Sequence, residues 1–175
     1  MRIIAGELKG RNFVAPRGHK THPMSEKIRG AIFNALGDIE GLTLFDAFGG
    51  SGAISFEALS RGAVSALAVE VSKEAHQVMQ KNANELKLGQ SFKAVLANVS
   101  SWSANNPESR FDLVVADSPY DNVSEGILEL LSIHVVPKGL YILSLPKSCE
   151  YTPDGFNLLS KKIYDQATVS FYRAL

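Results

Sequence analysis

Cysteine and long apolar runs are both scarce in this sequence, and each shortage excludes a class of protein. Among 175 residues the only cysteine is Cys149, so no internal disulfide can form, and a reducing compartment is expected. No stretch approaches the roughly 20 apolar residues of a membrane span. The chain is polar by Glu7 and has no apolar core of a secretory signal before it. We therefore expect a cytoplasmic protein without a membrane partner.

The sequence also has no spacing pattern typical of a metal site, and its formal net charge is zero. His19 and His22 lie three residues apart, but no acid or cysteine is spaced with them as a metal site requires, so we predict no metal. The 18 basic and 18 acidic side chains cancel to a formal charge of zero. A zero net charge by itself argues against a nucleic-acid partner.

The distribution of charge points the other way, because basic residues are concentrated at the N-terminus. Residues 1–30 contain seven basic and two acidic side chains, whereas the remainder contains eleven basic and sixteen acidic ones. A basic arm on an acidic body can contact phosphates. The alternative is a solvated terminal segment whose charge has no partner. The candidate RNA-phosphate contacts are Arg2, Lys9, Arg11, Arg17 and Lys20.

The hydrophobic pattern predicts one α/β domain. A content of 45% hydrophobic and 21% charged residues is ordinary for a soluble domain of this length. From residue 42 onward, short apolar runs alternate with segments of helical periodicity, which predicts a mostly parallel sheet with helices on both faces. We treat 1–23 as an N-terminal hairpin and loop and 24–175 as the main domain. The predicted strands are 42–48, 66–71, 92–97, 111–116 and 140–145, the helices 25–36, 53–61, 73–88 and 124–134, the polar connection 101–110, and the two hairpins 1–4 with 11–14 and 157–164 with 168–173.

The strand predicted at 111–116 leads directly into Asp117-Ser118-Pro119-Tyr120. Open parallel sheets bind ligands where their strands meet the following loops. Asp117 supplies a hydrogen-bond acceptor at that point, Pro119 stiffens the backbone, and Tyr120 offers a flat face. The combination favours an enzyme that holds the exocyclic amine of a planar base, although the tetrapeptide alone is only moderately specific.

A second motif ends the first strand of the predicted sheet, where Asp46-Ala47-Phe48-Gly49-Gly50-Ser51-Gly52 precedes a helix. Gly50 and Gly52 permit a tight turn and a close approach of the backbone to a ligand. The next strand ends at Glu70, where an acid can accept hydrogen bonds from both hydroxyls of a ribose. A plain tight turn is the alternative for the glycines alone, but the two acids favour a nucleoside cofactor.

Asp46 and Ser55 discriminate between nucleoside cofactors. A dinucleotide-binding loop needs a third glycine where Ser55 stands, and Asp46 would repel a pyrophosphate but can pair with a cationic amino-acid group. S-adenosylmethionine is therefore favoured over a nicotinamide cofactor. After the third strand, the Asn98 amide oxygen could accept from the adenine amine and the Val99 backbone could donate to the ring; a helix cap or turn is the alternative for Asn98. The candidate cofactor-binding residues are Asp46, Phe48, Gly50, Gly52, Glu70, Val71, Asn98 and Val99.

With these motifs the chain resembles the bacterial ribosomal RNA guanine 2-amino methyltransferases of the RsmD type. Similar segments span nearly the whole length, and the most specific are the opening hairpin, Glu57-Ala58-Leu59-Ser60-Arg61-Gly62 and the closing Ser170-Phe171-Tyr172-Arg173. The resemblance implies a Rossmann-like S-adenosylmethionine-dependent methyltransferase fold. Its sheet would be mostly parallel and seven-stranded, with an antiparallel C-terminal strand and a small N-terminal β-hairpin extension.

The resemblance also implies an activity, namely methyl transfer to the 2-amino group of guanine in small-subunit ribosomal RNA, free or in an assembling subunit. We expect the enzyme to be a monomer. The Asp117 carboxylate and the Ser118 carbonyl would each accept one amine hydrogen. Tyr120 would stack on the base. The catalytic candidates are Asp117, Ser118, Pro119 and Tyr120.

Three departures from the family pattern qualify this expectation. Ser118 stands where the family usually has proline, His22-Pro23-Met24 where it has Arg-Pro-Thr, and Asn98 where it has an acid. Ser118 keeps the backbone carbonyl but loses the rigidity of a ring, which predicts a slower enzyme. The alternatives are a catalytically weakened protein that binds the cofactor and RNA, a methyltransferase for adenine or a protein amide, and a nicotinamide-dependent oxidoreductase.

Overall fold

The computed structural model describes residues 1–16, 24–118, 124–164 and 167–175. Within these ranges the chain forms seven strands of one sheet and five α-helices. The strands are β1 (Thr43–Asp46), β2 (Ser65–Glu70), β3 (Phe92–Leu96), β4 (Phe111–Asp117), β5 (Val135–Pro146), β6 (Phe156–Ile163) and β7 (Ala167–Ala174). The helices are α1 (Glu26–Leu36), α2 (Ala53–Ser60), α3 (Lys73–Glu85), α4 (Val99–Asn105) and α5 (Glu125–Ser132).

The strands lie in the order β3-β2-β1-β4-β5-β7-β6. β1 to β5 run parallel to one another, whereas β7 is antiparallel to both β5 and β6. The predicted α/β fold and its antiparallel C-terminal strand are therefore confirmed. Because β1 to β6 all point the same way, their carboxyl ends meet at one edge of the sheet, which we call the active edge.

Helices cover both faces of the sheet. α1, α2 and α3 pack on one face through Phe33, Phe56 and Met79, and α4 packs with α5 on the other through Trp102. Strands that are buried on both faces need apolar residues at successive positions. Accordingly, residues 113–116 of β4 are all apolar and all buried.

The prediction of a polar connection at 101–110 was wrong, because α4 occupies its first half. Asn98 caps this helix, and Trp102 brings its ring to 4.6 Å from the ring of Phe45 in the core. A helix of seven residues is too short to show a convincing period in the sequence. Its signal was the cap followed by one buried aromatic residue.

Two predicted boundaries also shift for backbone reasons. The helix predicted to reach residue 88 ends at Glu85, because Leu86 ends the last turn and Lys87 takes a left-handed φ of 59°. β5 starts at Val135, five residues before the predicted start, and its pairing with β4 is irregular near Phe111. Lys138 takes a φ of 64° in this early part of the strand.

The N-terminal segment pairs with itself and also packs into the core. Arg2 and Asn12 form an antiparallel bridge, and the N–H of Ile3 donates to the carbonyl of Arg11 at 3.0 Å. Ile3 and Phe13 are both buried among the residues under α1 and α2. The predicted domain boundary at residue 23 lies in segment 17–23, outside the described residues.

A buried ion-pair network fixes this segment to α2. The carboxylate of Glu57 accepts hydrogen bonds from the N–H groups of Ile4 (2.8 Å) and Ala5 (3.1 Å). It also pairs with Arg61 at 2.8 Å and with Arg29 at 3.5 Å, and the side chains of both Glu57 and Arg29 are fully buried. Burial lowers the pKa of Arg29, and the charge of Glu57 opposes that shift. Water reaches neither charge, so each is stabilised in the interior by the opposite charge of the other.

Membrane-spanning helices and groups of metal ligands are both absent from the described part of the chain. None of its helices is long and apolar enough to span a bilayer. Its His, Cys, Asp and Glu side chains form no group of three or more that could hold a metal ion. His19 and His22 lie outside the described residues.

Candidate active site

Three acids stand at the active edge, each at the last position of its strand. Asp46 ends β1, Glu70 ends β2 and Asp117 ends β4, and these three strands are neighbours in the sheet. The sequence placed each acid at a strand end, and the parallel topology brings the three ends together. The three acids divide the active edge into two halves. Asp46 and Glu70 lie in the first half, and Asp117 lies in the second half.

Asp46 is a buried acid held by one hydroxyl. Its side chain is almost fully inaccessible, and Ser55 of α2 donates a 2.8 Å hydrogen bond to its Oδ2 atom. Burial raises the pKa of Asp46 to about 7; the Ser55 hydrogen bond lowers it, while the charges of Asp117 and Glu70 raise it further. Among the described residues no cationic side chain pairs with Asp46. A cationic ligand would offset the cost of burying this charge.

The glycine loop between β1 and α2 makes the tight turn that the motif predicts. Gly50 and Gly52 have φ values of 52° and 81°, and the N–H of Gly52 donates to the carbonyl of Gly49 at 2.7 Å. A Cβ atom on Gly52 would lie 2.5 Å from the ring of Phe56. Phe48, in the same loop, is half-buried against the core on the face of α4 and α5.

The carboxylate of Glu70 binds the backbone of two loops, and each of its oxygens can still accept one more hydrogen bond. Its Oε2 accepts from the N–H of Gly50 at 2.8 Å, and its Oε1 accepts from the N–H of Ser72 at 2.7 Å. A carboxylate oxygen can accept two hydrogen bonds, so each oxygen keeps one position for a ligand hydroxyl. Val71 follows with 70% of its surface exposed.

Leu96 adds an apolar position that the sequence analysis missed. It ends β3 in register with Glu70 and is 46% exposed. Together with Val71 it offers apolar surface at the active edge, suited to the face of a flat ring. Its only signal in the sequence is an apolar residue near the end of the strand predicted at 92–97.

Asn98 and Val99 occupy the start of α4. The Asn98 side-chain oxygen accepts from the N–H groups of Ser100 (2.9 Å) and Ser101 (3.3 Å), so it is a helix cap. Of the two alternatives for Asn98, the structure shows the cap. The contact of Asn98 with adenine stays a prediction. Val99 is buried as the first residue of the helix.

Asp117 is half-buried at the end of β4, next to Ser144 of β5. Burial raises the pKa of Asp117 to about 6, and a hydrogen bond with Ser144 opposes the shift. Ser118 follows and is buried. Pro119 and Tyr120 lie outside the described residues. Ser144 went unnoticed in the sequence because only the register between β4 and β5 brings it to Asp117.

Three of the predicted RNA-binding residues lie in the described part of the chain, and each is either bound to a neighbouring group or exposed to solvent. Arg2 pairs with Glu26 at 3.1 Å, and Lys9 is exposed. Arg11 donates to the carbonyl of Glu85 at 2.6 Å, at the C-terminus of α3. Arg17 and Lys20 lie outside the described residues.

Comparison with known proteins places this geometry in context. The family model described as "Conserved hypothetical protein 95" matches residues 1–173. The ribosomal RNA small subunit methyltransferase D of Haemophilus influenzae is 30% identical over 169 residues, 93% of this chain and 88% of that protein. The Escherichia coli K12 protein of the same name is 33% identical over 130 residues, 74% of this chain and 63% of that protein.

Solved structures agree with the fold. The yhhF protein of Escherichia coli, described as a candidate methyltransferase, superposes with a TM-score of 0.89 at 27% identity and covers 99% of this chain and 97% of its own. A candidate methylase of Haemophilus influenzae gives a TM-score of 0.84 at 26% identity, with coverage of 99% and 98%. A Streptococcus mutans structure complexed with SAH, at 14% identity and a TM-score of 0.71, covers 85% of this chain and 48% of its own and shares the fold.

Proposed function

The chain belongs to the family described as conserved hypothetical protein 95, and from that premise we propose that it transfers a methyl group from S-adenosylmethionine to the 2-amino group of a guanine in small-subunit ribosomal RNA. The relatives named ribosomal RNA small subunit methyltransferase D support the RNA substrate. The observation that carries the proposal is the meeting of Asp46, Glu70 and Asp117 at one sheet edge.

The residues of the first half fit the methyl donor. Asp46 is a buried carboxylate without a cationic partner among the described residues, which suits a ligand that carries an ammonium and a sulfonium. Glu70 keeps one acceptor position on each oxygen for the ribose hydroxyls. Val71 and Leu96 provide exposed apolar surface for adenine. When bound, S-adenosylmethionine supplies an electrophilic methyl group on a positively charged sulfur.

The second half fits the acceptor amine. The exocyclic nitrogen of guanine is a poor nucleophile, because its lone pair is delocalised into the ring. The Asp117 carboxylate and the Ser118 carbonyl each accept one amine hydrogen in our proposal, which favours a tetrahedral nitrogen whose lone pair points at the methyl group. With the methyl donor bound, the N–C bond would form as the S–C bond breaks, and the Asp117 carboxylate, which accepts one amine hydrogen, would take the proton that the nitrogen loses.

The target base has to leave its stack before it reaches Asp117. Guanine in a helix has its 2-amino group engaged in the base pair and its ring held in the stack, so the substrate base is flipped out or lies in a single-stranded segment. Tyr120, outside the described residues, is proposed as the stacking partner. The substrate particle is proposed to be free RNA or an assembling small subunit, in the cytoplasm, and the enzyme to act as a monomer.

The test separates chemistry from cofactor binding. Asp117→Ala should keep its affinity for S-adenosylmethionine while methyl transfer to small-subunit RNA falls at least about 100-fold, the range of a lost general base. Asp154→Ala removes an exposed acid between β5 and β6 and is the matched control. Equal loss of binding and transfer in Asp117→Ala would refute the assigned role. Mass mapping of the methylated nucleotide in naked RNA, partial particles and full subunits identifies the substrate.

A further inference from the structure

The basic residues described in the N-terminal segment are largely occupied by other groups. Arg2 pairs with Glu26 at 3.1 Å. Arg11 donates to the carbonyls of Glu85 (2.6 Å) and Leu86 (3.3 Å) at the end of α3. A single RNA strand that crosses the active edge has phosphates on both sides of the target base. Exposed cations on the other flank of Asp117 would therefore face such a strand as well.

Lys162 of β6 lies in the same row of the sheet as Asp117. The row runs from Asp117 to Ser144 on β5, to Val169 on β7, and then to Lys162. Residues paired across strands place their side chains on the same face, and neighbouring strands are about 4.8 Å apart. The exposed Lys162 is therefore on the face of Asp117 and roughly 14 Å from it.

Lys147 lies at the active edge between these two positions. The N–H of Cys149 donates to the carbonyl of Pro146 at 2.9 Å, so a tight turn follows β5 directly. Lys147 sits in that turn and is exposed. Since β5 is the neighbour of β4 on the side away from β1, Lys147 and Lys162 both flank Asp117 on the side opposite to Asp46.

Neither lysine forms an ion pair with a carboxylate in the described part of the chain. Lys161, their neighbour on β6, differs in two respects. It pairs with Glu150 at 3.5 Å, and it points to the opposite face of the sheet, because successive residues of a strand alternate. That opposite face also carries Glu125 and Glu129 of α5.

We propose that Lys147 and Lys162 bind phosphates of the substrate RNA on the side of the target base remote from the cofactor. The inference rests on the proposed RNA substrate and adds a second contact surface to it. Phosphate contacts fix the register of a nucleic acid without reading its sequence. Holding the strand beyond Asp117 keeps an unstacked base from withdrawing while its amine is in place for transfer.

The test compares the salt dependence of RNA binding. For a single strand, each neutralised phosphate contributes about 0.7 to the slope of log affinity against log salt. The Lys147→Gln/Lys162→Gln double variant should lose about 1.4 from the slope of the wild-type protein and raise KM for small-subunit RNA several-fold. Lys161→Gln should keep the wild-type slope. Affinity for S-adenosylmethionine, measured on the same samples, verifies that each variant is folded.

The outcomes distinguish this inference from the proposed function. If the wild-type protein neither binds nor methylates small-subunit RNA, the proposed function fails. If it does both and the double variant has the slope of Lys161→Gln, only the lysine surface is refuted. A double variant that binds free RNA normally but loses affinity for ribosomal particles would also refute the RNA contact and assign these lysines to a protein surface.

Discussion

The hydroxyl of Ser55 donates a 2.8 Å hydrogen bond to Oδ2 of Asp46, and both groups are buried. Ser55 stands where a dinucleotide-binding loop would have its third glycine. At this position the side chain of Ser55 binds Asp46, whereas a glycine would let the helix pack close to a pyrophosphate. The bond also lowers a pKa that burial raises to about 7, so it keeps more of Asp46 ionised at neutral pH.

Replacing Ser55 should weaken cofactor binding in a pH-dependent way. In Ser55→Ala the pKa of Asp46 rises further, so less of its carboxylate is ionised at pH 7. We expect about tenfold lower affinity for S-adenosylmethionine at pH 7, the size of one hydrogen bond to a charged group, and partial recovery at pH 9. Calorimetric titration at both pH values measures this. Ser103→Ala, which removes a buried hydroxyl on the other face, is the control and should not alter the affinity.

Removing the charge of Asp46 should stabilise the free protein at high pH. Its folded-state pKa of about 7 lies above the unfolded value of 3.8. The favourable contribution is therefore complete below pH 3.8 and is lost as the pH rises to about 7. Between pH 4 and pH 8 the free energy of unfolding of Asp46→Asn should rise relative to that of the wild type by roughly 4 kcal/mol. Denaturant titrations that give parallel pH profiles for the two proteins would contradict this.

The rate of methyl transfer should fall as the pH drops below about 6. Asp117 must be ionised to accept an amine hydrogen, and burial raises its pKa to about 6. The acid limb of the pH profile of kcat/KM, which reports the free enzyme, should therefore lie near that value. Ser144→Ala removes the hydrogen bond that lowers the pKa of Asp117, so the limb should move upward. Ser170→Ala, on β7 and the opposite face, should leave the limb in place.

Glu57 should be far more important to stability than an exposed acid. In Glu57→Gln the fully buried Arg29 keeps its charge without a counter-ion, which costs about 3–5 kcal/mol for a buried pair. The Glu57→Gln/Arg29→Met double variant should lose less than the two single variants together. Denaturant unfolding of all three measures the coupling, and additive losses would show that the pair is not coupled. Arg2→Gln, which breaks an exposed pair, should lose well under 1 kcal/mol.

Gly52 and Gly41 allow the strain of a positive φ to be separated from a steric clash. Both have similar φ values, 81° and 76°, but an added Cβ atom would lie 2.5 Å from a ring at Gly52 and would meet open space at Gly41. Gly41→Ala should cost about 1 kcal/mol through the backbone alone. Gly52→Ala should cost at least about 2 kcal/mol more, the range of an overpacked core, and should also reduce cofactor affinity. Thermal unfolding with and without S-adenosylmethionine measures both effects.

The sequence predicts where the three acids lie, because each of them ends a strand. Asp46, Glu70 and Asp117 each follow an apolar run, and a parallel sheet brings such positions together without further information. Ser144 and Lys162 could not be found this way, because only the pairing of β5, β7 and β6 relates them to Asp117. Register between strands depends on the whole sheet and leaves no local pattern in the chain.

Charge in the sequence was a weaker guide than apolar pattern. The basic residues of the first thirty positions predict phosphate contacts. In the structure, however, the side chain of Arg11 binds a carbonyl at the C-terminal end of α3, and Arg29 is buried beside Glu57. Charge counts do not distinguish a solvated cation from one that serves the fold. α4 was missed because its seven residues, about two turns, are too few to reveal a helical period.

The contacts of the opening residues impose an order on folding. Ile4 binds Glu57 across 53 positions, Val14 binds Asn82 across 68, and Arg11 binds Leu86 across 75. During synthesis these first residues emerge early but wait until α2 and α3 have followed them. Until then the apolar side chains of Ile3 and Phe13 lack most of their packing partners, so this segment is fixed only after Leu86 has been made, and a stalled or truncated chain would leave it exposed to association with other chains.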